Sequence, residues 1–194
     1  MWALVLAGGK SRRMGQPKAE LMLGGASLLA RVVEVGRQVA AQVVVVGDAD
    51  AAARLGVRSA SDYLHGAGPL AGLAGGLAIC PEGLHAVLAC DLPFLDAALL
   101  PRMEALADGA DAVVPEVEGR RHPLCALYRR ECLDAARACL DAGSRRMDDL
   151  LDRIHVRTVR PDDAVPARLA RSVTNVNTPE DYRRARELLE GGTS

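Results

Sequence analysis

The chain has 194 residues, 49% of them apolar and 25% charged, with 24 Lys and Arg against 25 Asp and Glu and a net charge of −1. This length suits one domain that buries about 70% of its unfolded surface, and the composition is that of a globular enzyme rather than a disordered chain. The balanced charge lacks the basic excess of a protein that binds nucleic acid nonspecifically.

Residues 2–7 form a short apolar run that stops at Gly8-Gly9, which predicts a buried first strand followed by a polar loop reaching about Lys18. Ser27 is a good N-cap for a helix whose Leu28, Leu29, Val32, Val33 and Val39 recur at near-helical spacing. A strand at 42–46, a helix at 49–55, a helix at 70–79 and a strand at 86–90 follow. The pattern then predicts a helix at 96–107, a strand at 112–115 and a turn at Gly119. That turn leads past Pro123 into the apolar run 124–128, which reads as a β-hairpin inserted beside the sheet. A helix at 129–140, a strand at 154–159 and a helix at 179–190 complete the chain, and residues 191–194 are expected to fray as a flexible tail.

Alternating strands and helices require crossover connections. Residues 1–190 are therefore expected to form an α/β, single-domain, Rossmann-like three-layer fold with a mostly parallel sheet and an inserted β-hairpin. Ligands of such folds bind beyond the carboxyl ends of the strands.

The most apolar stretch, 67–90, is interrupted by Pro69, Pro81, Glu82 and His85. It cannot supply the ~20 uninterrupted apolar residues of a membrane span. Residues 1–8 enter a strand with no basic region before it and do not resemble a signal peptide, so a cytoplasmic location with no membrane partner is expected. Five cysteines, at 80, 90, 125, 132 and 139, contain no C-x2-C pair. They are expected to be reduced and mostly buried, with Cys132 and Cys139 on one helix face as small hydrophobes.

Chemistry concentrates directly after the first strand, in Leu6-Ala7-Gly8-Gly9-Lys10-Ser11-Arg12-Arg13-Met14-Gly15-Gln16-Pro17-Lys18. Consecutive main-chain amides there can cradle phosphate oxygens. Gly8 and Gly9 allow close approach of the backbone, and Arg13 and Lys18 can neutralise a triphosphate. Five residues separate Gly9 from Gly15, and Gln16 follows, so this is not the G-x4-G-K-[ST] phosphate loop. Gly66-Ala67-Gly68 meets only the looser G-x-G-x-x-A form and follows no clear strand, and G-x-S-x-G is absent.

The first segment resembles the L-A-G-G-x-S-x-R-M-G-x-x-K signature of nucleotidyltransferases that activate sugars, isoprenoid precursors and molybdopterin. Three further segments narrow the resemblance: Asp62 with Gly68-Pro69-Leu70-Ala71-Gly72, then Ala89-Cys90-Asp91-Leu92-Pro93-Phe94, then Asn175-Val176-Asn177-Thr178-Pro179-Glu180-Asp181. With Arg121-His122-Pro123-Leu124 and Gly143-Ser144-Arg145-Arg146, the chain is similar over most of its length to the molybdenum cofactor guanylyltransferases. The resemblance implies a nucleotidyltransferase domain over 1–190 that uses Mg2+, GTP and molybdenum-bound molybdopterin, with molybdoenzyme apoproteins or maturation chaperones as further partners.

By that resemblance, Leu6, Ala7, Gly8 and Gly9 meet the base, and Ser11, Arg13 and Lys18 belong to the phosphate loop. Asp62 contacts the nucleotide, and Gly68, Pro69 and Leu70 shape the base pocket. Asp91 ends a buried strand at its carboxyl end, where a carboxylate can hold Mg2+ while phosphates and waters complete the octahedron. Lys18, Arg13 and Asp91 are thus the expected catalytic groups. Arg121, His122, Arg145 and Arg146 are expected to face the phosphorylated pterin, and Asn175 and Asn177 to border acceptor and metal.

Each position also has a plainer reading. Asp91 could cap a following helix, although Asp96 is the more natural cap; Asp62 suits a turn before glycine; the arginines could be solvated. His65, His85 and His155 are expected to be structural. Two departures from the family pattern concern the nucleotide: Val46-Gly47-Asp48 stands where Asn is frequent, and Pro17 where Asp is frequent. Gln16-Pro17-Lys18 is also similar to the cytidylyltransferases for molybdopterin, whereas Gly8-Gly9 and Gly68-Pro69-Leu70 favour the guanylyl branch. A sugar nucleotidyltransferase, or a noncatalytic nucleotide-binding adaptor in molybdoenzyme maturation, are the other readings.

Overall fold

The structure is a computed structural model that describes residues 1–8, 17–163 and 169–190. Gly9, Ser11 and Arg13, and the expected tail 191–194, lie outside the described residues. Strand β1 (Ala3–Leu6) leads, after a 3₁₀ turn at Lys18–Glu20, to a small antiparallel pair β2 (Met22–Leu23) and β3 (Ala26–Ser27). Helix α1 (Leu28–Val39) starts at Ser27, whose hydroxyl accepts the Ala30 N–H at 3.1 Å, as its sequence predicts. Then come β4 (Val43–Val46), α2 (Ala49–Arg54), β5 (Arg58–Ala60), α3 (Pro69–Ala78), β6 (Leu84–Ala89) and α4 (Leu99–Ala105). The second half holds β7 (Ala112–Val117), β8 (Arg120–Arg121), β9 (Cys125–Arg129), α5 (Cys132–Asp141), α6 (Met147–Leu151), β10 (Val156–Val159), α7 (Leu169–Ser172) and α8 (Pro179–Glu190).

Among the described residues the main sheet runs β10-β7-β9-β6-β1-β4-β5, with β8 paired to the end of β7. β5, β4, β1 and β6 are mutually parallel; β9 is antiparallel to both β6 and β7, and β10 is parallel to β7. The predicted hairpin is therefore present, but its second half lies within the sheet rather than beside it. Cys125, Ala126, Leu127 and Tyr128 are at most 1% exposed, because β9 is covered on both faces.

β1 shows how the pleat builds two cores. Ala3 and Val5 join the cluster under α1, α2, α4 and α7, whereas Leu4 and Leu6 join the cluster under α3, α5 and α6. A third, smaller cluster of Leu21, Leu23, Leu28, Val176 and Ala185 docks α8 on the β2–β3 pair, where the Tyr182 hydroxyl donates to the Met22 carbonyl. All five cysteines are free and buried, as their spacing predicts, and burial pushes the thiols of Cys90, Cys125 and Cys132 up to about 12. His85 is structural: its Nδ1 accepts from the Trp2 N–H at 3.1 Å, its Nε2 lies 2.9 Å from the Pro81 carbonyl, and burial lowers its pKa. His65 and His155 are exposed.

α3 packs closely because its glycines face other elements, two of them with no room for a Cβ. A Cβ on Gly76 would lie 2.7 Å from the Leu4 Cδ1, and one on Gly75 would collide with the Ser61 carbonyl oxygen and approach the Tyr63 nitrogen to 3.0 Å. The Tyr63 N–H donates to the Ala71 carbonyl at 2.9 Å, so this close approach docks the segment carrying Asp62 on α3. Gly75→Ala is expected to cost about 1–3 kcal/mol through overpacking, or roughly 2–12 °C of melting temperature for a chain of this size. A thermal melt unchanged from the parent would contradict the packing argument.

Candidate active site

The strands β1, β4, β5 and β6 end on one edge, and the segments leaving them bring the predicted site residues together. Ala7 donates to the Val46 carbonyl at 2.9 Å and Cys90 donates to the Leu6 carbonyl at 3.2 Å, which leaves Gly8 at the rim between β1 and β4. A Cβ on Gly8 would lie 3.5 Å from the Asp62 Oδ2, and one on Gly72 would lie 3.4 Å from the Asp62 Oδ1. Gly47, at φ 89°, comes so near that its Cβ would sit 3.1 Å from the Gly8 nitrogen. Three glycines thus surround the Asp62 carboxylate, and among the described residues no donor reaches its oxygens. Burial raises the Asp62 pKa and the nearby His65 opposes that shift. Such a carboxylate, flanked by residues without side chains, can accept N–H donors.

Gly47 and Gly72 are site residues that the sequence reading did not identify as neighbours of Asp62. Asp48, where the family pattern often has Asn nearby, caps α2 by accepting the Ala51 N–H at 2.8 Å. Gly68, at φ 80°, is the N-cap of α3, and Pro69 occupies the first turn. Leu70 is fully buried in the second core, so Gly68 and Pro69 are the members of that trio that present surface.

The second group joins residues up to 159 positions apart. The Lys18 ammonium donates to the Asp91 Oδ2 at 3.1 Å and to the Asn177 Oδ1 at 2.5 Å. The Asn175 Nδ2 donates to the Asp91 Oδ1 at 3.0 Å, and the Val176 N–H donates to the Asp91 carbonyl at 3.0 Å. The period of two in an extended segment explains the arrangement: Asn175 and Asn177 turn toward the carboxylate and the lysine, while Val176 between them is fully buried in the third core.

Capping does not account for these residues. Thr178 Oγ1 accepts the Asp181 N–H at 3.1 Å, and the Asp181 carboxylate accepts the Asn177 and Thr178 N–H groups at 2.9 Å each. This reciprocal cap serves α8 and leaves both asparagine side chains for the site. Burial raises the pKa of Asp181, but these hydrogen bonds and Arg184 outweigh it and hold the group below its usual value. Asp96 caps its own turn by accepting the Ala98 N–H at 3.0 Å, whereas both carboxylate oxygens of Asp91, a residue only 8% exposed, face Lys18 and Asn175.

The predicted acceptor residues form a separate group on the same edge. Arg121 pairs with Asp148 at 3.0 Å and Asp152 at 3.4 Å, and Arg146 pairs with Asp148 at 3.7 Å, so the first turn of α6 links the two arginines. The His122 N–H donates to the Pro115 carbonyl at 2.8 Å, and burial, aided by Arg120, lowers the imidazole pKa. Arg145 brings its carbonyl to the N-terminus of α3, where a Cβ on Gly68 would lie 3.8 Å from it.

A carboxylate ringed by glycines and a cluster of a lysine, an aspartate and two asparagines thus lie at one sheet edge, where the carboxylate can accept N–H donors and the ammonium can meet an anion. Residues 3–158 match the family model of the MobA-like NTP transferase domain. The chain belongs to this family. Its relatives there include the molybdenum cofactor guanylyltransferase of Mesorhizobium japonicum, 38% identical over 98% of this chain and 97% of that one. The probable molybdenum cofactor guanylyltransferase of Pelotomaculum thermopropionicum is 34% identical over 96% and 92%. The crystal structure of molybdopterin-guanine dinucleotide biosynthesis protein A from Archaeoglobus fulgidus superposes with a TM-score of 0.84 at 30% identity, covering 98% of this chain and all of that one. Family membership confirms the nucleotidyltransferase reading and the single-domain α/β fold. Among the described residues, no helix is long and apolar enough to cross a membrane.

Proposed function

We propose that the protein transfers GMP from GTP to molybdenum-bound molybdopterin, forming the guanine dinucleotide cofactor and releasing pyrophosphate. The observation that carries this reading is the meeting of Lys18, Asp91, Asn175 and Asn177 beside the glycine-lined Asp62. The names of the full-length relatives support the choice of nucleotide and acceptor. In the reaction, an oxygen of the acceptor's terminal phosphate attacks the α-phosphorus of GTP. A new P–O–P bond forms, the bond to the β-phosphate oxygen breaks, and pyrophosphate departs with that electron pair. A phosphate monoester has a second pKa of about 6 and is already a nucleophile near neutrality, so the protein needs no covalent intermediate.

Lys18 neutralises the phosphates, and the Asp62 carboxylate accepts the N1 and N2 hydrogens of guanine, a match cytosine does not offer. Arg13 and Ser11 are assigned to the phosphates, and Arg121, His122, Arg145 and Arg146 to the acceptor's side. Magnesium fits this donor set. Asp91 and the Asn177 Oδ1 are hard oxygen donors. Mg2+ is ordinarily held by one or two carboxylates with substrate phosphates and waters. Bound on Asp91, it would supply charge neutralisation for the departing pyrophosphate.

The test is pyrophosphate release from GTP, CTP, ATP and UTP with molybdenum-bound molybdopterin. GTP is expected to give the highest kcat/KM. Equal or better use of CTP would overturn the base assignment, and no release with any of the four would overturn the transferase reading with this acceptor.

A further inference from the structure

Lys18 and Asp91 belong to separate segments: Lys18 opens the 3₁₀ turn that leads to β2, and Asp91 follows β6. Their contact at 3.1 Å therefore depends on something that keeps the two segments in register. Arg31 reaches both. Its Nη1 donates to the Leu23 carbonyl at 3.2 Å and its Nε donates to the Pro93 carbonyl at 3.3 Å. Leu23 lies five positions after Lys18, and Pro93 two after Asp91. The guanidinium stands on the first turns of α1, which is anchored by the Ser27 cap and by buried Leu28, Leu29, Val32 and Val33. Gly24, at φ 60°, turns the chain beside it, within van der Waals reach of the Arg31 Nη1.

We infer that Arg31 is a positioning residue that clamps the Lys18 segment to the Asp91 segment, an inference that rests on the transferase reading above. The two carbonyls are met by different nitrogens of one planar, pre-organised fork. A lysine keeps the charge, but its donors radiate from one nitrogen on a flexible stem and lack the fixed, planar spacing of Nη1 and Nε. Misplacing reacting groups by about 1 Å can cost up to roughly 10²-fold in rate.

Arg31→Lys and Arg31→Met are therefore both expected to lower kcat for pyrophosphate release about tenfold or more, with KM for GTP changed less than about threefold and melting within a few degrees of the parent. Retention of near-parent kcat by Arg31→Lys would overturn the clamp, because charge alone would then suffice. In a double-mutant cycle, Arg31→Met should add little to Lys18→Ala, since both act through one contact. Full additivity would also overturn it. A readout that does not depend on turnover uses the fact that Lys10 and Lys18 are the only lysines in the chain. After reductive ¹³C-methylation, Asp91→Asn should shift the Lys18 resonance in the parent background and leave it nearly unchanged in Arg31→Met. An equal shift in both backgrounds would reject the clamp. Absence of turnover in the parent would count against the transferase reading alone, and the resonance would still decide the role of Arg31.

Discussion

Lys18→Ala is expected to lower turnover by about 10² to 10³ while leaving the fold intact, the usual loss when one donor that stabilises developing charge is removed. Lys18 ends the glycine- and arginine-rich stretch of the sequence, and its ammonium is held between the Asp91 carboxylate and the Asn177 carbonyl oxygen. Its side chain is 22% exposed, so solvent can reach the Asp91 carboxylate once the ammonium is gone, which limits the effect on stability. The loss should fall mainly on kcat, because the charge on the leaving pyrophosphate grows in the transition state. Steady-state kinetics at saturating GTP and acceptor check this, and near-parent turnover would remove Lys18 from the mechanism.

Asp91→Asn is expected to lose most Mg2+-dependent activity, to recover part of it at high Mg2+, and to melt within a few degrees of the parent. The charge is what the metal requires, since Asp91 is the carboxylate of the Lys18 group in a region that must also accept a triphosphate. Stability survives for a geometric reason. The amide of an asparagine at 91 can offer its oxygen to Lys18, and Asn175 can turn its own amide to present an oxygen to the new NH2 group. If the carboxylate served only to order the loop, this exchange would leave activity and Mg2+ dependence unchanged. Titrating Mg2+ against rate for parent and variant separates the two cases.

Much of the architecture was legible from hydrophobic periodicity. The first strand, Ser27 and its helix, the strand of consecutive valines at 43–46 and the final helix at 179–190 follow from apolar spacing and caps, which are local properties. The short elements were not legible. β2, β3, β5, α6 and α7 hold two to five residues each, too few to establish a period, and they exist because of what they pack against. β5, for example, takes its register from β4, and the β2–β3 pair from the third core.

The site divides in the same way. The sequence by itself determined which residue types could do the chemistry: glycines and cations after the first strand, an aspartate ending a buried strand, and two asparagines before a capped helix. Family resemblance then assigned them a common reaction. Only the tertiary structure decided which of them meet. It joined Asn175 and Asn177 to Lys18 and Asp91, tied Arg121 to Asp148 and Asp152, and ringed Asp62 with Gly8, Gly47 and Gly72. It also introduced Arg31, whose sequence context of ordinary helix residues carries no signal. The reason is physical: caps and periodicity act over a few residues along the chain, whereas hydrogen bonds between residues 18, 91 and 177 depend on strand order and on how the small core under α8 closes.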